Sequence, residues 1–411
     1  MQTQLADFIS NTPDGQEAEA ILRSCVHCGF CTATCPTYQL LGDEDDGPRG
    51  RIYLIKSVLE GNVATEKTQQ HLDRCLTCRS CETTCPSGVN YHRLLDIGRA
   101  EVEKQVPRSF VQNVLRWLIV TIMPQRNIFS PLMAQFFRPL LPSILKEKVP
   151  PRPSVKLVAP TQQHSRKMLM LEGCVQPSMA PNINTATLRV LDALGVSIEP
   201  TPKAGCCGAL RQHLNAQDAA KNDMRGNIDA WVPALDNGAE AIIINASGCG
   251  AQIADYGKIF AADEAYASKA ERISERSFDL AEILVQEEQN IIAKLEAEGS
   301  RIAGKKVAFH APCTLQHGLS ITGVVERILT AAGCELATVA DSHLCCGSAG
   351  TYSIFQPELS KQLRDNKLTA LNVDKPELIA TANIGCLSHM QSAADVPVKH
   401  WVELVDEALG N

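Results

Sequence analysis

The chain has 411 residues, of which 45% are hydrophobic and 21% are charged, so it can bury ordinary cores in two or three domains. Its net charge of −7 argues against a nucleic-acid partner, because a nucleic-acid binder normally carries a basic surface. No apolar run is long enough for a membrane-spanning helix, and the N-terminus lacks the basic and apolar segments of a secretory signal. We therefore expect a cytoplasmic protein.

The 17 cysteines are the unusual feature of the composition. In a long chain without an export signal, cysteines point to metal binding or catalysis rather than to a disulfide framework. The odd number also prevents complete pairing within one chain. The spacing of the cysteines must therefore identify their role.

Eight cysteines form two runs of the pattern C-x2-C-x2-C-x3-C-P, which is typical of ferredoxin-type [4Fe–4S] clusters. The first run contains Cys25, Cys28, Cys31 and Cys35, and the second contains Cys75, Cys78, Cys81 and Cys85. Three thiolates spaced three residues apart can reach three irons of one cube, whereas the fourth, before proline, reaches the other cluster. We predict two [4Fe–4S] clusters, one on Cys25, Cys28, Cys31 and Cys85 and the other on Cys75, Cys78, Cys81 and Cys35. Structural zinc, usually held by two separated C-x2-C pairs, is the alternative and fits this spacing poorly.

The segment between the two runs has the helical spacing of apolar residues at positions 52, 55, 58 and 59. The Gly-Pro-Arg-Gly sequence before it, residues 47–50, predicts a loop that leads into this helix. Arg49 and Arg51 are either solvated residues or residues that contact a partner or tune a cluster potential.

The middle of the chain contains a short apolar helix and a basic linker. Residues 110–123 are too few to cross a bilayer, so they predict a core helix, a docking face or an interfacial amphipathic helix. Residues 138–167 contain six prolines and seven basic residues against one acidic residue. This composition predicts a semi-extended linker whose charge could favour an anionic membrane surface.

Eight of the remaining nine cysteines form an internal duplication. The first copy contains Cys174, Cys206, Cys207 and Cys249, and the second contains Cys313, Cys345, Cys346 and Cys386. The first two cysteines are 32 positions apart in each copy, and a Cys-Cys-Gly sequence occupies the centre of both. Cys334 lies outside the repeat and is expected to be a packing residue.

Each copy alternates strand-like and helical segments, which predicts a mostly parallel sheet. Strands are expected at 168–172 and 241–245 in the first copy, and at 306–310 and 378–382 in the second. The first and last cysteines of each copy follow such strands, so each copy could gather four thiolates where ligand sites form. A metal or iron–sulfur site, a redox-active thiol pair and a packing motif remain open as interpretations.

These observations together predict an α+β chain. A helical two-cluster ferredoxin-type domain spans residues 1–105, and a helical segment with the proline-rich basic linker spans 106–166. Two duplicated α/β Cys-Cys-Gly modules follow at 167–300 and 301–411.

The motifs resemble a family of iron–sulfur redox subunits that includes those of glycolate oxidase, anaerobic glycerol-3-phosphate dehydrogenase, lactate utilisation and heterodisulfide reductase. Within this family the chain is most similar to the glycolate oxidase iron–sulfur subunits. The stretches that carry the resemblance are 25–40, 47–53, 171–174, 247–250 and 342–351. In the fuller family pattern the last element of each module is C-x2-C, but here Ala246 and Asn383 occupy its leading position. The motif therefore offers at most four thiolates in each module.

The resemblance implies electron transfer in a complex that oxidises glycolate to glyoxylate. The sequence has neither a G-x-G-x-x-G dinucleotide motif nor a C-x2-C-H haem motif, so FAD is expected on a flavoprotein partner subunit. Electrons would pass towards a quinone or another respiratory acceptor, with peripheral contact at the inner face of the cell membrane. The alternatives are a lactate or glycerol-3-phosphate system, modules that themselves reduce a disulfide or quinone, and a metal-stapled scaffold that only docks partners.

Overall fold

The structure is a computed structural model that describes residues 1–125, 158–298 and 301–410. Most of the predicted basic linker lies outside the described residues. The described chain forms two compact units. The first contains residues 1–117, 213–215 and 343–367, and the second contains the described parts of 118–212, 216–342 and 368–411. The bounds of the four segments predicted from the sequence stay predictions.

The first unit is helical. Its principal helices are Asp7–Ser10, Pro13–Ser24, Pro36–Leu41, Pro48–Leu59, Glu66–Asp73, Ser80–Thr84, Tyr91–Gln105 and Tyr352–Phe355, with 3-10 turns at Phe30–Thr32 and Glu44–Asp46. Apolar side chains from these helices form one core, in which Ile55, Leu59 and Leu94 are fully buried. The regular spacing of these leucines and isoleucines along each helix produces the buried face.

The helix between the two cysteine runs begins earlier than the sequence indicates. It spans Pro48–Leu59, with Gly47 as the N-cap, so the Gly-Pro-Arg-Gly sequence begins the helix instead of forming a loop. Proline suits the first helical position because its fixed φ is helical and its missing N–H would have no partner there. Starting at Pro48 places Arg51 on the first turn and inside the unit.

Gly98 allows this helix to approach the helix Tyr91–Gln105 closely. A Cβ atom at position 98 would lie 2.5 Å from Cγ1 of Ile55, which is too short for any real contact. We expect Gly98→Ala to destabilise the chain by about 1–3 kcal/mol, because the core must shift to accept the methyl group. Thermal unfolding followed by circular dichroism measures the effect.

Gly226 provides the matched control for Gly98→Ala. It lies within the helix Gln217–Asp236, and a Cβ atom there would meet nothing within 4 Å. Gly226→Ala should therefore stabilise the chain by about 0.5–1 kcal/mol through helix propensity. Equal unfolding midpoints for the two variants would contradict the packing argument.

The helix Phe110–Ile122 presents an apolar surface. Phe110 is 81% exposed and Trp117 is 62% exposed, while Ile119 is its one buried residue. The core interpretation of this segment is therefore wrong, and a docking face or an interfacial helix remains. Across the described ranges, the structure contains no helix with the length and apolarity that crossing a membrane requires.

The second unit contains two four-stranded parallel sheets. Their strands are β1 Arg166–Leu171, β2 Val196–Glu199, β3 Ile242–Ile244, β4 Ser277–Asp279, β5 Lys306–His310, β6 Glu335–Leu336, β7 Leu378–Thr381 and β8 Val398–His400. The strand orders are β2-β1-β3-β4 and β6-β5-β7-β8, so both copies of the repeat have the same topology. The register pairs Leu169 with Ile242 in the first sheet and Val307 with Leu378 in the second.

Helices cover these sheets and complete the α/β arrangement. They are Gln176–Met179, Pro181–Ala193, Ala209–His213, Gln217–Asp236, Ser247–Ala254, Tyr256–Ile259, Ala267–Arg276, Leu280–Gln286, Glu288–Glu298, Val324–Ala331, Ile384–Gln391 and Trp401–Ala408. Residues 357–367 of the helix Pro357–Leu371 belong to the first unit. One apolar cluster includes Ile243, Val307 and Trp401 and so draws on both sheets. The strands predicted from the sequence correspond to β1, β3, β5 and β7.

Candidate metal centres

The two ferredoxin-type runs adopt equivalent backbone conformations. Cys25 follows the helix Pro13–Ser24 and Cys75 follows the helix Glu66–Asp73, and each donates its backbone N–H to a leucine carbonyl at 3.2 Å. The left-handed positions of the two runs are His27 and Gly29 in the first, and Thr77 and Arg79 in the second. Three of these four are not glycine, although left-handed backbone is uncommon for such residues. The sharp turns at these positions bring the first three cysteines of each run to one side of its loop.

The thiols predicted for the first cluster line one cavity. Its lining includes Cys25, Cys28, Cys31 and Cys85, so the last cysteine of the second run joins the first three of the first run. Burial raises the pKa of Cys31 to about 11, and the nearby thiols of Cys25, Cys85 and Cys28 add to the effect. Four thiols this close oppose one another's ionisation, and a cationic cluster would remove that opposition.

A second cavity is lined by the other predicted set of thiols. Its lining includes Cys35, Cys75, Cys78 and Cys81. Cys81 also lines the first cavity, but its charge interactions are with Cys78, Cys75 and Cys35. Burial, followed by these thiols, raises the pKa of Cys81 well above its ordinary value, so we assign Cys81 to the second cavity.

Polar groups surround the sulfurs of the second cavity. The Tyr91 hydroxyl donates to Cys75 Sγ at 3.7 Å, and the backbone N–H of Thr77 donates to the same sulfur at 3.4 Å. The Thr37 hydroxyl lies 3.3 Å from Cys35 Sγ. The two hydrogen bonds donated to Cys75 Sγ stabilise a thiolate and fit a cluster held at this cavity.

The first Cys-Cys-Gly module brings all four of its predicted thiols together. Cys174 lies beyond β1, and Cys249 lies in the helix Ser247–Ala254 that follows the neighbouring strand β3. Cys206 interacts with Cys174 and with Cys207, and Cys207 interacts with Cys249. The sulfurs thus form a chain in the order 174, 206, 207, 249 at the carboxyl ends of the strands, where the sequence predicted a site.

The thiols of the first Cys-Cys-Gly module differ in pKa. Hydrogen bonds from Cys174 and Cys207 lower the pKa of Cys206 to about 3, with support from the Gly208 N–H and the charge of Arg211. The same contacts raise the pKa values of Cys174 and Cys207 well above normal. Cys206 is therefore the most acidic thiol of the group, and a thiolate can accept a metal ion without losing a proton.

Glycine completes the Cys-Cys-Gly sequence for the same two reasons in both copies. Gly208 and Gly347 have φ values of +88° and +82°, and each donates its N–H to the first cysteine of its own pair at 3.4 Å. A Cβ atom at Gly347 would lie 2.6 Å from the Ser360 carbonyl oxygen. Glycine thus permits both the left-handed turn and the close approach of the following helix.

The four predicted thiols of the second module are distributed between the two units. Cys345 and Cys346 are buried in the first unit, together with the ferredoxin-type runs. Cys313 follows β5, and Cys386 lies in the helix Ile384–Gln391 after β7, both in the second unit. Cys334 is buried in the core of the second unit, as expected for a packing residue.

Comparison with known proteins gives two matching families. The 4Fe–4S dicluster domain family matches residues 21–89, and the cysteine-rich domain family matches 168–254 and 307–391. The glycolate oxidase iron–sulfur subunit of Escherichia coli (strain K12) is 54% identical over 411 residues, covering 100% of this chain and 99% of the relative. The chain belongs to the glycolate oxidase iron–sulfur subunit family.

Two further relatives are less similar. The probable glycolate oxidase iron–sulfur subunit of Bacillus subtilis (strain 168) is 29% identical and covers 96% of this chain and 95% of the relative. Lactate utilization protein A of Bacillus licheniformis is 24% identical and covers 54% of this chain and 90% of the relative. The family assignment confirms the predicted fold class and an iron–sulfur protein in preference to a zinc protein. The assignment also places the chain in a family of oxidoreductase subunits.

The two residues that replace the leading cysteine of the fuller motif both lie at helix N-termini. Ala246 is the N-cap of the helix Ser247–Ala254, and Asn383 is the N-cap of the helix Ile384–Gln391. The side chain of Asn383 accepts a hydrogen bond from the Gly385 N–H at 2.8 Å. Asn383 thus caps its helix where the fuller motif has a thiol, whereas Ala246 makes no capping hydrogen bond.

Several residues near the sulfurs were not identified by the sequence reasoning. Tyr91 and Thr37 line the second cavity, and Asp46 accepts a hydrogen bond from Thr37 through its carbonyl oxygen. Neither the cysteine spacing nor the duplication identified these three residues. Asp223 lies near Cys206 and forms an ion pair with Arg211. Burial, and then the Cys206 thiolate, raise the pKa of Asp223 to about 7. These contacts join distant parts of the chain, so spacing within the sequence gives no signal for them.

Proposed function

We propose that this chain is the electron-transfer subunit of a flavin-linked glycolate oxidase complex. Two [4Fe–4S] clusters would be held by Cys25, Cys28, Cys31 and Cys85, and by Cys75, Cys78, Cys81 and Cys35. A flavoprotein partner carrying FAD would oxidise glycolate to glyoxylate and release electrons singly into this chain. The chain would then pass them towards a respiratory acceptor.

The observation that carries this proposal is the crossed arrangement of eight cysteines around two adjacent cavities. Tyr91 lines both cavities, so one side chain reaches the two candidate sites. The full-length similarity to the Escherichia coli subunit supports glycolate as the substrate of the complex. The lactate-utilisation relative supports the alternative substrate less well, because it matches only 54% of this chain.

The residues of the chain would hold, orient and shield the clusters. A [4Fe–4S] cluster supplies the ability to accept and donate one electron at a time. Cys35, Cys78 and Cys81 are buried, which keeps water away from the second site, while Cys28 is exposed at the first. We infer that electrons exchange with the flavoprotein near Cys28.

We also propose that the thiols of the first Cys-Cys-Gly module form a further metal site. The support is the convergence of Cys174, Cys206, Cys207 and Cys249 and the low pKa of Cys206. The corresponding proposal for the second module concerns Cys313, Cys345, Cys346 and Cys386 and rests on the duplication. A redox-active thiol site that reduces a disulfide or a quinone is the competing function for these residues.

We further propose peripheral contact with the inner face of the membrane and a quinone as the acceptor. The support is the exposed apolar surface of the helix Phe110–Ile122, on which Phe110 and Trp117 carry aromatic rings. Tryptophan is favoured at membrane interfaces because its ring is apolar except for one N–H group, and Phe110 adds apolar surface.

Anaerobic purification of the native complex tests the proposed function. We expect iron and sulfide on this chain, flavin on a co-purifying partner, and reduction of the clusters on addition of glycolate, observed by EPR. Lactate and glycerol-3-phosphate added in parallel determine the substrate, and quinone analogues determine the acceptor. Tightly bound zinc without iron, or clusters that glycolate leaves oxidised in the flavin-loaded complex, would contradict the proposal.

A further inference from the structure

The two arginines that follow Gly47 occupy different environments, although they are only two residues apart. Arg49 lines the first cavity and forms an ion pair with Glu44 at 2.6 Å, with both side chains more than a third exposed. Arg51 lines the second cavity and is 0% exposed. A solvated role therefore fits Arg49 and does not fit Arg51.

Hydrogen bonds fix the Arg51 guanidinium in one position. Its Nε donates to the His71 carbonyl oxygen at 2.7 Å, and Nη1 and Nη2 each donate to the Thr37 hydroxyl oxygen at 3.2 Å. The same Thr37 hydroxyl lies 3.3 Å from Cys35 Sγ. The guanidinium is thus held one side chain away from a cysteine of the second cavity.

The buried carboxylate of Asp46 only partly offsets the charge of Arg51. Asp46 lies 3.4 Å from Arg51 Nη2, but it pairs more closely with Arg74, at 2.7 Å, and with His71 Nδ1, at 3.1 Å. Burial alone would lower the pKa of Arg51, but Cys75, Tyr91, Cys35 and Asp46 together raise it above its ordinary value. Among these, Cys75 and Cys35 interact with Arg51 more strongly than Asp46 does. A permanent positive charge therefore faces the thiols of the second cavity.

We propose that the fixed positive charge of Arg51 raises the reduction potential of the second [4Fe–4S] cluster above the value that the cluster would have without Arg51. Reduction adds one negative charge to a cluster, and a fixed cation in a medium of low dielectric constant stabilises that charge. Arg49 has a much smaller effect at the first cavity, because solvent and Glu44 screen it. This inference rests on the proposed function, since it requires the two clusters to be present.

The charge of Arg51 then makes electron transfer from the exposed first site to the second site more favourable than it would be without this charge. Cys28 of the first cavity is exposed, whereas Cys78 and Cys81 of the second are buried. Burial by itself lowers the potential of a cluster, because it removes the water that solvates the added charge. Arg51 opposes this effect, so a buried cluster can still accept an electron from an exposed one.

EPR-monitored redox titration of the anaerobically reconstituted chain tests the inference. We expect Arg51→Met to lower the midpoint potential of the second cluster, and Arg51→Lys to keep it near the wild-type value by restoring the charge. Arg49→Met is the matched control on the same helix and should shift neither midpoint by a comparable amount. The signal of the second cluster is the one that Cys78→Ala removes. An unchanged second midpoint in Arg51→Met, with both clusters present, would overturn the inference while leaving the proposed function intact.

Asp46→Asn gives an independent test with the opposite sign. Removing the carboxylate leaves the charges of Arg51 and Arg74 less compensated, so the midpoint of the second cluster should rise. This variant decides the question if Arg51→Met fails to hold the second cluster: a rise supports the inference, and an unchanged or lowered midpoint overturns it. A wild-type chain that binds no iron would instead refute the proposed function itself.

Discussion

Replacing Cys85 with alanine (Cys85→Ala) is expected to remove the first [4Fe–4S] cluster, although Cys85 belongs to the second cysteine run. The side chain of Cys85 lines the first cavity together with Cys25, Cys28 and Cys31, and it interacts with Cys31. A cubane cluster that loses one of its four thiolates is poorly held. The iron content of the reconstituted chain should therefore fall from about eight to about four atoms.

Cys35→Ala is the mirror variant and should remove the second cluster. Cys35 lines the second cavity and interacts with Cys81, although it belongs to the first run. Iron content alone does not distinguish the two variants, because each should lose about half of the iron. The spectrum of the surviving cluster distinguishes them.

Two reference variants identify the surviving cluster. Cys28→Ala removes a thiol that only the first cavity uses, and Cys78→Ala removes one that only the second cavity uses. The EPR spectrum of reduced Cys85→Ala should match that of Cys28→Ala, and the spectrum of Cys35→Ala should match that of Cys78→Ala. The opposite matching would show that each run holds its own cluster and would refute the crossed arrangement.

The crossed arrangement could be predicted from the sequence because it depends on local geometry. Three cysteines at three-residue spacing must face one way, and the proline after the fourth starts a new direction, as at Pro36. The duplicated modules were predictable for a similar reason. The apolar runs of β1 and β3 are buried strands that precede the cysteines, and each copy repeats them.

The edge strands could not be predicted in this way. β4 covers only Ser277–Asp279 and β6 only Glu335–Leu336, so neither is long enough to show an alternating pattern. They are strands because a neighbouring strand, β3 or β5, offers them backbone partners. Tertiary context determines such elements more than propensity does.

The environment of Arg51 also depends on distant parts of the chain. Its partners Thr37, Asp46 and His71 come from three separate elements, and only the folded chain brings them together. From the sequence alone, Arg49 and Arg51 had the same two interpretations, as solvated residues or as residues that contact a partner or tune a cluster potential. Burial separates them, because a charged side chain leaves water only where folding supplies partners for it.

Replacing Cys206 with alanine (Cys206→Ala) is expected to remove metal from the first Cys-Cys-Gly module without affecting the two ferredoxin-type clusters. We expect the wild-type chain to carry metal beyond the roughly eight irons of two [4Fe–4S] clusters. Cys206 is the central thiolate of the chain of four sulfurs, and its low pKa makes it the best ligand among them. Elemental analysis of anaerobically purified protein should show the extra metal lost, with both cluster signals retained by EPR.

Cys334→Ala is the matched control, because Cys334 is a buried cysteine of the same unit outside the repeat. In the described part of the chain, Cys334 is the one cysteine in its apolar core cluster, so it lacks the companion thiols that Cys206 has, and a single thiol should not hold a metal ion. Its replacement should leave the metal content unchanged and lower only the stability, since a small apolar contact is lost from the core. Equal metal contents for wild type, Cys206→Ala and Cys334→Ala would contradict the metal site. In that outcome, loss of turnover confined to Cys206→Ala would favour thiol redox chemistry, because Cys206 would then act as a nucleophilic thiolate instead of a ligand.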